Sequence, residues 1–263
     1  MPLAADGITV GYGDKLVIAD LDLAVPQGKM TMIIGPNACG KSTLLRTLAR
    51  LLKPARGAVL LDGKDIHDLP TRQVAQRLGL LPQLPLAPDG ITVADLVARG
   101  RTPHQSFLRR WSDEDEAAAI AAMAATETLE LARRSVDSLS GGQRQRVWIA
   151  MALAQETDLL LLDEPTTFLD LAHQIEILDL LRHLNETDGR TMVLVLHDLN
   201  LAARYADNIV AMRDGRIVQQ GAPQDVVTAA NVEAVFGLAC VVVPDPVVGS
   251  PLIVPLASAR TGR

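Results

Sequence analysis

The sequence predicts an α/β fold built on a mainly parallel sheet, with a small antiparallel sheet near the N-terminus and an inserted helical segment. Three observations carry this prediction. A buried-strand pattern at residues 30–34 (Met-Thr-Met-Ile-Ile) runs through a glycine-containing loop into a helical pattern at 43–50 that is free of Gly and Pro. Strand patterns return at 159–162 and 191–196 after helix-like stretches, and strands alternating with helices imply parallel pairing. The first 30 residues hold strand-like pieces at 7–10 and 16–25, set off by Gly11, Gly13, Asp14, Pro26 and Gly28, a pattern of short antiparallel strands.

The remaining elements follow along the chain. Residues 58–61 read as a further strand of the antiparallel sheet and end in an Asp62-Gly63 turn. From about residue 89 to 156 the character is helical. There Asp113-Glu114-Asp115-Glu116 opens an alanine-rich helix, acidic side chains suit the positive end of the macrodipole, and Ser112 is the expected N-cap. The Val- and Pro-rich stretch at 244–255 does not read as a helix and suggests at most a peripheral strand.

A net charge of −6 gives no support to nucleic-acid binding as the main activity. No apolar run approaches the length needed to span a bilayer, the longest candidates being 117–125 and 159–162. The N-terminal residues lack the basic start and apolar core of a secretory signal, and two cysteines are too few for a disulfide framework. A reducing, cytoplasmic setting is expected.

The loop between the first buried strand and its helix reads Gly35-Pro36-Asn37-Ala38-Cys39-Gly40-Lys41-Ser42, followed by Thr43. It satisfies the phosphate-loop pattern G-x-x-x-x-G-K-[ST] in the strand–loop–helix setting that gives the pattern its mechanism. Backbone N–H groups and the helix N-terminus converge on one spot suited to a polyphosphate. Lys41 would reach the terminal phosphates, and the Ser42 hydroxyl would ligate Mg²⁺.

The strand at 159–162 delivers Asp163 and Glu164 at its end. Asp163 fits the orientation of Mg²⁺ and its waters. Glu164, pointing the other way by strand alternation, could polarise an attacking water. Two adjacent acids after a strand also suit a solvated turn; the phosphate loop in the same chain favours catalysis. Ser140, Gly141, Gly142 and Gln143 precede another helical segment and form either a second anion site or an ordinary N-cap. One nucleotide does not need two γ-phosphate sites, so a second site would serve a nucleotide held by another subunit.

The phosphate loop, Leu-Ser-Gly-Gly-Gln at 139–143 and Leu-Leu-Leu-Leu-Asp-Glu-Pro at 159–165, in that order, resemble the nucleotide-binding subunit of an ATP-binding-cassette transporter. The resemblance runs from about residue 5 to 240. It implies a RecA-like P-loop NTPase core with ATP and Mg²⁺ as ligands. Tyr12 then occupies the place of the aromatic that stacks on adenine, and Gln83 that of the glutamine joining Mg²⁺ and its water to the membrane-facing lobe. Leu169-Asp170 matches the loop that touches the opposite subunit, and His197 the histidine at the γ-phosphate. The resemblance implies one cassette over residues 1–240, with the core at 1–88 and 157–240 and the helical subdomain at about 89–156, and a tail at 241–263. Two departures stand out. Ala38 lies where many members have glycine, so φ there is expected to be negative. Phe168 is bulkier than the small residues usual before Leu-Asp. Cys39, beside Lys41 and a helix N-terminus, is expected to favour the thiolate.

Longer stretches at 34–46, 98–105, 163–174 and 197–205 look like ferric-siderophore and related metal-chelate importers, with vitamin B12 and haem importers sharing much of the pattern. The resemblance implies a homodimer on the cytoplasmic face of the membrane, beneath a permease that an extracytoplasmic siderophore-binding protein supplies. Arg99, Arg101, Arg109 and Arg110 are candidate permease contacts, although such charges also suit a solvated surface. A chromosome-maintenance ATPase would need a coiled-coil or zinc insertion and a two-cassette translation factor would repeat the motifs, neither of which the sequence shows, and a kinase would not explain residues 139–143.

Overall fold

The computed structural model describes residues 2–13, 15–105 and 111–256. The chain divides into two units, one of residues up to 66 and from 193 onward, the other of residues 67–192.

The first unit opens with β1 (Leu3–Tyr12) and β2 (Lys15–Val25), an antiparallel pair. β2 alternates in burial, with Leu21, Leu23 and Val25 inside, as a strand with one wet face requires. β3 (Met30–Ile34) is instead buried at every position, as its unbroken apolar pattern implies for a strand covered on both faces. The phosphate-loop segment leads into α1 (Lys41–Leu48), which packs on β1 and β2. β4 (Arg56–Leu61) and β5 (Lys64–Asp65) complete the antiparallel sheet in the order β2-β1-β4-β5.

The second unit begins with α2 (Thr71–Ala75) and β6 (Leu78–Leu81). α3 (Val93–Ala98), α4 (Asp113–Ala125) and α5 (Gly141–Ala154) form its helical part, packing on one another. Ser112 caps α4 as expected, in a reciprocal capping box with Asp115. β7 (Leu159–Asp163) pairs in parallel with β6, Leu78 opposite Leu159 and Leu81 opposite Leu162. α6 (Leu171–Asp188) follows, capped by Asp170 and ended by Gly189 in the left-handed region at φ 66°.

Arg101 overturns its assignment as a permease contact. It is 4% exposed, donating to Asp115 Oδ1 at 3.0 Å, Glu156 Oε2 at 2.6 Å and the Ala154 carbonyl at 2.8 Å. Only a sequence-distant carboxylate could draw this arginine inward, so the charge pattern alone did not separate it from exposed Arg99. Arg109 and Arg110 lie outside the described residues. Burial pushes the Asp115 carboxyl up, but hydrogen bonds from Arg101 and Ser112, with the guanidinium charge, outweigh it and hold it below the usual carboxylate range. Arg101→Met is expected to lower the free energy of urea unfolding by about 3 kcal/mol at neutral pH, because it strands a buried carboxylate. That contribution exists above the unfolded pKa of about 3.9 and is lost as pH falls through the lower folded value, so wild type and variant should converge in acid. Equal unfolding midpoints at pH 7 would contradict this account.

The first unit resumes within β8 (Thr191–Val195), also buried throughout. It continues through α7 (Leu199–Tyr205), β9 (Asn208–Arg213), β10 (Arg216–Gly221), α8 (Pro223–Val226) and α9 (Ala229–Phe236). β9 lies parallel to β3 and antiparallel to β10, and just past β8 the Leu196 N–H reaches the Ile33 carbonyl at 3.3 Å. The Val- and Pro-rich tail segment is a hairpin of β11 (Cys240–Pro244) and β12 (Pro251–Pro255). The Asn200 side chain clamps it, accepting from the Ile253 N–H at 2.7 Å and donating to the Ile253 carbonyl at 3.3 Å. A groove of about 950 Å³ between α7, α8 and this hairpin contains none of the predicted site residues. Among the described residues, no helix is long and apolar enough to cross a membrane.

Candidate functional site

In the first unit the loop from Gly35 to Ser42 leaves the end of β3 and enters α1 without a side-chain cap, because Gly40 at the N-cap has none to offer. An uncapped helix start beside glycine backbone suits an anion. A Cβ on Gly35 would lie 2.3 Å from the Met212 carbonyl oxygen and 2.7 Å from Cys39 Sγ, so close packing admits only glycine there. Lys41 is 5% exposed, and its Nζ donates to the Gly35 carbonyl at 2.8 Å and the Pro36 carbonyl at 3.0 Å. The ammonium thus sits over the loop that would cradle a phosphate. The Gly215 N–H braces the loop from behind, donating to the Cys39 carbonyl at 2.9 Å.

Two expectations about this loop fail. Ala38 has φ 62°, in the left-handed region, where a methyl group costs roughly 1–2 kcal/mol. The alanine therefore does not mark a backbone with negative φ at this point of the loop. Cys39 is buried, and burial pushes its thiol up against the lowering influence of Lys41 and nearby backbone N–H groups. Proximity to a cation was legible in the sequence; loss of water was not, and it dominates.

The other residues assigned to this unit lie at element ends. Tyr12 closes β1 and is 45% exposed, leaving its ring available for stacking. Ser42 and Thr43 lie in the first turn of α1. His197 lies just past β8 and is exposed, next to Asp198, whose carboxylate caps α7.

In the second unit Asp163 is the last residue of β7 and is 2% exposed. Glu164 lies beyond the strand with φ 54°, so strand alternation does not set its direction, contrary to the sequence reading. A bulky residue held left-handed before Pro165 is strained by about 1–3 kcal/mol, and such strain gathers at functional positions. Its Oε2 accepts from Gln83 Nε2 at 2.5 Å and from Thr167 Oγ1 at 2.9 Å. The structure therefore brings Gln83 and Glu164 together across 81 residues of sequence, and adds Thr167, which sequence reasoning missed. A threonine three positions after the glutamate was the available signal. These two donors fix the carboxylate's orientation.

Ser140 caps α5: its Oγ accepts from the Gln143 N–H at 3.3 Å, and Gln143 Oε1 accepts from the Ser140 N–H at 3.2 Å. This box occupies two of the backbone donors at the turn and leaves those of Gly141 and Gly142 outside it. Phe168, at φ 66°, is 87% exposed ahead of Leu169 and Asp170.

Comparison with known proteins places these features in a family. Residues 18–167 match the family model described as ABC transporter. The chain is 56% identical to the ferric enterobactin transport ATP-binding protein FepC of Escherichia coli (strain K12), over 97% of this chain and 94% of that protein. It is also 56% identical to the achromobactin transport ATP-binding protein CbrD of Dickeya dadantii (strain 3937), over 96% and 94%. Among solved structures, the dimeric structure of MJ0796, a bacterial ABC transporter cassette, superposes with a TM-score of 0.72 at 30% identity, covering 84% of this chain and 98% of that one. The matched region carries the phosphate loop, the Ser-Gly-Gly-Gln turn and the acidic strand end, and the chain belongs to the ABC transporter family.

Proposed function

We propose that this chain is the ATP-hydrolysing subunit that powers import of an Fe(III)–siderophore across the cytoplasmic membrane. The observation that carries the cargo is the 56% identity, over nearly the whole chain, to ATP-binding proteins named for ferric enterobactin and achromobactin transport. The chemistry rests on the phosphate loop and the anchored Glu164.

In the first unit, Tyr12 stacks on adenine, and the backbone from Gly35 to Thr43 cradles the phosphates. Lys41 would exchange its two loop carbonyls for the terminal phosphates, the Ser42 hydroxyl would hold Mg²⁺, and His197 would contact the γ-phosphate. In the second unit, Asp163 and Gln83 would hold Mg²⁺, and Glu164 would take a proton from the attacking water. The donor chemistry offered within each unit suits the ion: the Ser42 hydroxyl in the first, and the Gln83 amide oxygen and buried Asp163 carboxylate in the second, are hard oxygen donors of the kind Mg²⁺ prefers. Bound Mg²⁺ supplies charge neutralisation for the transferring phosphoryl group.

Ser140, Gly141, Gly142 and Gln143 serve the nucleotide of a second copy, so two copies close on two ATP molecules and part after hydrolysis removes the γ-phosphate charge. The dimer works at the cytoplasmic face beneath a permease, with an extracytoplasmic binding protein delivering the chelate.

Deleting the coding sequence should reduce uptake of one radiolabelled ferric siderophore to background while leaving labelled cobalamin and haem uptake unchanged. Restoration should follow from the natural chain and not from Glu164→Gln. Loss of cobalamin or haem uptake alone would reassign the cargo, and unaltered uptake of all three would reject the transport role.

A further inference from the structure

We infer that His173 is a positioning residue for hydrolysis, holding the Ser140-Gly141-Gly142 turn in register with the Leu169-Asp170 loop. The inference rests on the proposed role of that turn as an anion site.

Gly142 lies in ordinary helical backbone, so its conformation does not demand glycine. A neighbour does. A Cβ at Gly142 would lie 2.6 Å from His173 Cδ2 and 3.3 Å from both Cγ and Nε2. The first turn of α5 therefore rests directly on the imidazole ring. The ring is anchored against rotation, because Nδ1 meets Asp170 Oδ1 at 2.7 Å. That same oxygen accepts the His173 backbone N–H at 3.0 Å as the cap of α6. A carboxylate can only accept, so Nδ1 carries the proton in this assignment. Both His173 contacts hold the Asp170 carboxyl below the usual range, the backbone bond more strongly than the ring.

The surrounding contacts point the same way. A Cβ on Gly141 would lie 3.6 Å from Leu169 Cδ2, and Gln174 Nε2 donates to the Leu169 carbonyl at 2.9 Å. Leu169, just ahead of α6, and His173, in its first turn, thus lie against the two successive glycines that open α5. The capping box uses the N–H groups of Ser140 and Gln143, which leaves those of Gly141 and Gly142 for a phosphate. Of these two, Gly142 is the one seated on His173. Displacing such a donor by a fraction of an ångström weakens transition-state stabilisation far more than it weakens folding.

The test uses the full chain with His173→Ala, His173→Asn and Gly142→Ala, the last in wild-type and His173→Ala backgrounds. His173→Ala should lower kcat roughly 10- to 100-fold. Affinity of dilute protein for a fluorescent ATP analogue should stay within about twofold, since the Lys41 loop is untouched. His173→Asn, which can still donate to Asp170 but lacks the ring, should recover part of kcat. Gly142→Ala should be severe in wild type and add little once the imidazole is gone.

A kcat within about twofold for His173→Ala, or equal damage by Gly142→Ala in both backgrounds, would overturn the inference while leaving the ATPase reading intact. If wild-type specific activity does not fall on dilution, the paired-copy reading itself fails, whatever His173 does. Should His173→Ala not fold, His173→Asn carries the comparison; if that also fails to fold, His173 is a folding residue and the inference is wrong.

Discussion

Glu164→Gln protein is expected to bind ATP as the natural chain does and to hydrolyse it about 10³-fold more slowly. The substitution keeps the shape of the side chain and an oxygen that can accept from Gln83 and Thr167, so the local bonds survive. What disappears is the basic oxygen that accepts a proton from water. Because γ-phosphate is then retained, ATP should convert the variant to a stable dimer, while ADP should leave it monomeric. Phosphate release under saturating MgATP and size-exclusion chromatography with each nucleotide check the two halves. A rate within tenfold of wild type would remove Glu164 from the role of general base. A monomer in saturating ATP would remove the paired-copy arrangement.

Lys41→Ala should abolish useful nucleotide binding, weakening it by roughly 10²-fold or more. A charge-assisted hydrogen bond to phosphate contributes about 1.5–3 kcal/mol, and an ammonium held over the loop can make more than one. The same change removes the donor that the Gly35 and Pro36 carbonyls share, so the loop also loses its internal tie. Isothermal titration with ATP measures the affinity directly. A dissociation constant within fivefold of wild type would mean that the backbone and helix start bind the phosphates unaided.

The parts of this molecule legible in one dimension share a property: their physics is local. The β3–loop–α1 passage follows from an apolar run, a glycine-bearing turn and a helical period. The caps at Ser112 and Ser140 follow from a hydroxyl facing a backbone N–H group three residues away, whereas the cap at Asp170 appears only in the structure. Strand ends at Asp163 and near His197 follow from polar residues terminating buried runs. Even so, Glu164 was legible as a candidate but not in its backbone conformation, because strand alternation stops where the strand does.

By itself, the order of residues determined the α/β architecture, the family and the candidate chemistry, because periodicity, capping and the phosphate loop need only near neighbours. Tertiary structure alone decided that Arg101 is a buried tie rather than a surface contact, that Cys39 is shielded rather than activated, and that Ala38 adopts a left-handed backbone. It also turned the tail segment into a hairpin clamped by Asn200 and seated His173 beneath Gly142. Each of these depends on burial or on a partner distant in sequence. The free energy of a charge, a thiol or a strained backbone is set by what surrounds it in space, which no local pattern encodes.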